Sequence, residues 1–71
     1  MADEFVQVLT TLSIAEAEIA RVRLESEGIP VLLKGGGDAP YPTGPVYVLV
    51  LAAFELQARH LLDEINRRAA R

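Results

Sequence analysis

Residues 13 to 34 read SIAEAEIARVRLESEGIPVLLK, a run that starts a helix, stops it and leads into a strand. Ser13 followed three residues later by Glu16 is a capping box, in which the Ser hydroxyl accepts from the Glu16 N–H and the Glu carboxylate reaches back to the Ser13 N–H. Glu16 and Glu18 also lie near the positive end of the helix dipole. Ile14, Ala17, Ala20 and Leu24 recur at three- and four-residue spacing, which predicts one stripe lying on a sheet and a helix ending near Glu27. Gly28 suits the left-handed position just past a helix end, Ile29 then folds back on Leu24, and Pro30 forbids another turn. A strand over Pro30 to Lys34 follows, with its proline at the first position, where a missing N–H is tolerated.

Upstream, FVQVLT over Phe5 to Thr10 is rich in aromatic and β-branched residues and reads as a first strand. Downstream, GGGDAPYPTGP over residues 35 to 45 holds four of the five glycines and three of the four prolines, and is a loop. VYVLVL, from Val46 to Leu51, is apolar at every position, so it is expected to be buried on both faces and central in the sheet. From Ala52 to Arg68 the helical period returns, with Phe54, Ala58, Leu61 and Ile65 in one stripe. Glu55 with Arg59, Asp63 with Arg67 and Glu64 with Arg68 are spaced as acid-to-base pairs on its outer side.

The element order is therefore β-α-β-β-α, an α+β fold. A right-handed crossover from the first strand to the second leaves a gap for the third, which predicts sheet order 1-3-2 with both helices on one face. This is a ferredoxin-like two-layer sandwich lacking its last strand. One domain is expected over residues 1–71, with an ordered core of about 5–67 and a short tail at 68–71.

Seven Lys and Arg against ten Asp and Glu give a net charge of -3, so no broad basic face is available for phosphates and nucleic acid is not an expected partner. Cysteine is absent, which removes disulfides and thiolate chemistry and suits a reducing cytoplasm. MADEF at the start is acidic, without the positive segment or the apolar run of a secretion signal, and none is expected. The longest apolar run, Val46 to Phe54, has nine residues, under half of the roughly 20 needed to span a membrane, and a soluble chain is expected. Yet 51% of the residues are hydrophobic, more than one thin core of this size absorbs, and the surplus is read as a self-association surface.

No catalytic constellation is evident, and neither a cofactor nor an enzymatic activity is expected. Gly35, Gly36, Gly37 and Asp38 lead into Pro40 and a strand, whereas a phosphate cradle leads straight into a helix N-terminus. The bland reading is a connector, although eleven residues exceed an ordinary hairpin loop and such excess is often functional. Lys34, Asp38 and Tyr41 are its candidate contact residues. His60 stands alone without Cys or a second His, a poor metal site, and is read as a surface or ion-paired histidine. Asp63 and Glu64 point about 100° apart on a helix and do not converge. Ser13 caps a helix and Ser26 lies in its last turn, so neither is read as a nucleophile. The first strand is an open edge in a 1-3-2 sheet, and Ile19 and Val22 lie opposite the Ala17 and Leu24 stripe. Val6, Val8, Ile19 and Val22 are accordingly the candidate dimer surface, with pairing through the sheet preferred.

The pieces Ile14-Ala15-Glu16-Ala17-Glu18, Leu24-Glu25-Ser26-Glu27-Gly28-Ile29-Pro30-Val31, Val46-Tyr47-Val48-Leu49-Val50 and Ala58-Arg59-His60-Leu61-Leu62 together resemble a small prokaryotic domain family catalogued as a putative signal-transducing protein. The resemblance covers residues 5 to 66. It implies a topology similar to the ferredoxin-like nitrogen-regulatory PII proteins, in which a long loop between the second and third strands contacts targets; residues 35 to 45 occupy that place. The expected function is a non-enzymatic, cytoplasmic, bacterial-type regulatory or protein-interaction module, a homodimer with an unidentified protein partner. The alternative is a sensor of an anion or metabolite, with its pocket between the loop and the N-terminus of the second helix.

Overall fold

The chain folds around its third strand. The computed structural model describes residues 4–35 and 44–69, with side chains as far as Arg67. Its elements are β1 (Phe5–Thr11), α1 (Ile14–Ser26), β2 (Val31–Gly35), β3 (Val46–Leu51) and α2 (Glu55–Ala69), with a 3-10 turn over Ala52–Phe54 leading into α2. The sheet order is β1-β3-β2, and β3 is antiparallel to both neighbours. The ferredoxin-like β-α-β-β-α order and the central place of VYVLVL are thus as the sequence predicts.

One core unites the layers. Ala17, Ala20 and Leu24 of α1 and Ala58, Leu61 and Leu62 of α2 pack with Val46, Val48 and Val50 of β3. Small residues on α1 let its backbone lie close to the sheet, and the fully buried Leu24, Ile29, Val48 and Val50 fill the space beneath. Ile14, expected in the α1 stripe, is instead 44% exposed, one turn beyond the sheet's cover.

The expected burial of β3 on both faces requires correction. Val46, Val48 and Val50 are buried, but Tyr47, Leu49 and Leu51 are only half-buried, because among the described residues no second layer covers their side.

Both ends of α1 are fixed by short-range chemistry. Ser13 accepts from the Glu16 N–H at 3.1 Å, as expected. The return half of the capping box differs: the Ser13 N–H donates to the Thr11 hydroxyl at 3.1 Å, and that hydroxyl donates to the Glu16 carboxylate. Thr11 thus relays the bond and is itself a buried polar side chain with both roles of its hydroxyl used. At the far end Gly28 has φ 81°, its N–H reaches the Glu25 carbonyl at 2.9 Å, and the Ile29 N–H reaches Leu24 at 3.1 Å. This is a Schellman motif, and it turns Ile29 into the core beside Leu24.

Gly35 closes β2 at φ 85°, opposite Val46. A β-carbon there would run into the Pro45 carbonyl oxygen and lie 3.2 Å from the Tyr47 ring, so only glycine fits.

Candidate functional site

Two apolar surfaces remain outside the core. The first is the uncovered sheet face. In the strand register Leu49 lies between Gln7 and Leu32, Leu51 lies opposite Phe5, and Tyr47 lies between Thr10 and Lys34. The centre of this face is therefore Phe5, Leu32, Leu49 and Leu51, with Gln7, Thr10 and Lys34 as a polar margin. Phe5 and Leu32 are 39% and 38% exposed.

The second surface is the outer side of α1. Ile19 and Val22 are 61% and 58% exposed. Beside them a groove of about 350 Å³ runs between α1 and α2. Its walls are Leu9, Ala15, Ile19, Ala20, Leu62 and Ile65, and its polar members are Ser13, Glu16 and Asn66.

The residues of the expected dimer surface are not brought together. Val6 pairs with the buried Val50, so it faces the helices, and Val8 also packs against the core. The cause is a β-bulge. The register shifts between Gln7 and Leu9, leaving Val8 without a partner on β3, so Val6 before it and Leu9 and Thr11 after it all turn to the helix side. Ile19 and Val22 lie on the opposite side of the helix layer. The β1 edge is also guarded: Arg59 of α2 donates to the Gln7 carbonyl at 3.2 Å, next to the bulge. The residues of the uncovered sheet face were not those expected, because nothing in FVQVLT marks where its alternation changes sides.

Of the candidate loop residues, Lys34 is exposed on the sheet face beside Tyr47, and Gly35 ends β2. Gly36, Gly37, Asp38 and Tyr41 lie outside the described residues, as does the expected pocket between this loop and α2.

Charged groups are arranged for surface pairing. Arg21 bridges Glu18 at 2.5 Å and Glu25 at 2.9 Å, and the hydrogen bonds it donates to Glu18, with the charge of that carboxylate, raise the Arg21 pKa above its usual value. On α2, Glu55 pairs with Arg59 at 3.0 Å and Asp63 with Arg67 at 2.8 Å, as spaced in the sequence. The Arg68 side chain, the expected partner of Glu64, lies outside the described residues; Glu64 instead approaches His60 at 3.7 Å and Arg23 at 3.9 Å. Among the described residues no group of three or more His, Asp or Glu is placed to hold a metal ion. No helix among them is long and apolar enough to cross a membrane.

Residues 5–66 match the family model described as "Putative prokaryotic signal transducing protein". The chain belongs to that family. No curated protein and no solved structure matches it. The match opens on the first residue of β1 and closes inside α2, so the family unit is the whole β-α-β-β-α fold with its connector, the extent that the resemblance in the sequence implied. The family's name points to signal transduction, and its shared substance here is the fold.

Proposed function

We propose that the chain is a non-enzymatic interaction module of prokaryotic signalling, acting by self-association and by display of an apolar sheet face beside the connector at 35 to 45. The observation that carries this reading is the exposure of two separate apolar surfaces on one small domain. Large exposed apolar patches on a small chain mark binding surfaces. In this reading the connector, with Lys34, Asp38 and Tyr41, contacts a protein target in a PII-like manner, and the module works in the cytoplasm of a bacterial cell. Solution mass by light scattering across a dilution series tests it. A two-chain mass that falls on dilution is the expected result, and a one-chain mass at every concentration removes self-association from the account.

The groove between α1 and α2 favours a second reading, a sensor of a small apolar molecule bearing one hydrogen-bonding group. About 350 Å³ is within the ordinary range of ligand sites. A ligand held only by the folded state raises the melting temperature with concentration. A shift produced by small aliphatic alcohols or amines and abolished by Ala15→Phe, which fills the groove from its exposed wall, is the outcome this reading requires.

A further inference from the structure

Ile19 stands as a ridge between two hollows. The α1–α2 groove lies on one side of it, and a shallower depression bounded by Val22, Arg23 and Ser26 on the other. Ala15, Ile19, Val22 and Ser26 succeed one another at spacings of four, three and four, the alternation of a helix-pairing seam. The seam faces away from Ala17, Ala20 and Leu24, so it points outward from the sheet. Even Ser26 suits it, because its hydroxyl already donates to the Arg23 carbonyl at 2.6 Å.

The two flanks of the seam differ. On one, Glu18 and Glu25 are both held by Arg21. On the other, toward α2, lie Glu16 and Arg23. Arg23 donates no side-chain hydrogen bond among the described residues: Glu27 and Glu64 stay 3.8 Å and 3.9 Å away, and its Nε is shielded from solvent with no acceptor. A shielded donor without a partner is costly.

We infer that α1 pairs antiparallel with α1 of a second copy of this chain, about a two-fold axis beside Ile19. The inference rests on the self-association reading above and names its surface. Glu16 and Arg23 lie three and four residues to either side of Ile19, so the axis sets Glu16 of each copy against Arg23 of the other. The exposed end of the Arg23 guanidinium, which makes only loose ion pairs with Glu27 and Glu64, is then offered a carboxylate as hydrogen-bond acceptor, and the Ile19 ridge of each copy enters a hollow of its twin. A parallel pair would direct Arg23 to Glu18 instead, which Arg21 already holds at 2.5 Å, whereas Glu16 accepts from the neutral Thr11 hydroxyl and has no cation partner among the described residues. Antiparallel helix dipoles add to the preference. The sheet faces remain open on the outside of the pair, free for a target.

The test compares the solution mass of the native chain, Ile19→Glu and Leu32→Glu, each shown to be folded by circular dichroism. The expected result is two chains for the native protein and for Leu32→Glu, and one for Ile19→Glu. A native dimer that survives Ile19→Glu but is lost in Leu32→Glu overturns pairing through α1 and leaves self-association standing on the sheet. A native monomer up to millimolar concentration overturns both. Because the chain has no cysteine, single introduced thiols read the orientation: Ile19→Cys is expected to oxidise to a linked dimer, while the Ala15→Cys thiols, about 12 Å apart along the axis at 1.5 Å per residue, are not. Equal linkage at both positions, or at neither, overturns the antiparallel arrangement.

Discussion

The two helices lie on the same face of the same sheet, yet they are built differently. α2 has one apolar stripe: Ala58, Leu61 and Leu62 enter the core, while Arg59, His60, Asp63 and Arg67 face solvent in a run of ion pairs and Leu56, in its first turn, is a single exposed apolar side chain. α1 is two-sided, with Ala17, Ala20 and Leu24 below and Ala15, Ile19 and Val22 above. A helix needs one apolar stripe to join a core. The second stripe of α1 is not used by the core and is the surface proposed above for self-association, whereas the outer side of α2, Leu56 apart, is polar.

The sharpest way to break this comparison is to truncate both sides of α1 in turn. Leu24→Ala removes a fully buried side chain and is expected to lower stability by about 2 to 5 kcal/mol in denaturant unfolding. Ile19→Ala, unfolded in dilute solution where single chains dominate, is expected to stay within about 0.5 kcal/mol of the native chain. A comparable loss from both would mean that the outer stripe supports the fold itself. Next in size is Gly28→Ala, which forces a β-carbon into a left-handed backbone at the end of α1 and is expected to cost about 1 to 2 kcal/mol; the space around Gly28 is open, so the loss is backbone strain alone. Ser13→Ala, at the other end, is expected to cost about 1 kcal/mol, with Thr11→Val reducing stability as well by breaking the relay to Glu16. Smallest is Arg67→Ala on α2. Its pair with Asp63 is exposed, and thermal melts are expected to show a change of no more than about 0.5 kcal/mol that fades in high salt.

What the sequence made legible follows the reach of each signal. Ser13, Glu16, Gly28 and Pro30 act on backbone groups within a few positions, so the limits of α1 and the start of β2 are readable within a residue or two. The apolar run of β3 placed it in the middle of the sheet. Its one open face was not readable, because Tyr47, Leu49 and Leu51 look the same whether or not a second layer covers them. The bulge at Val8 is set by how β1 meets β3 and α2 together, and it moved the candidate surface from Val6 and Val8 to Phe5 and its neighbours. Ile19 and Val22 needed only the helical period, so their place on the outer side of α1 was readable. Arg23 gave no sign in the sequence, since the lack of an acceptor depends on where α2 comes to rest.

The central claim is that the outer side of α1 is a surface at work. Backbone amide shifts of the native chain, followed by NMR from dilute to concentrated solution, test it most directly. The account predicts concentration-dependent movement at Ala15, Ile19, Val22 and Ser26, with Leu32, Tyr47 and Leu49 unmoved. Movement confined to the sheet-face residues, or none anywhere, would contradict it.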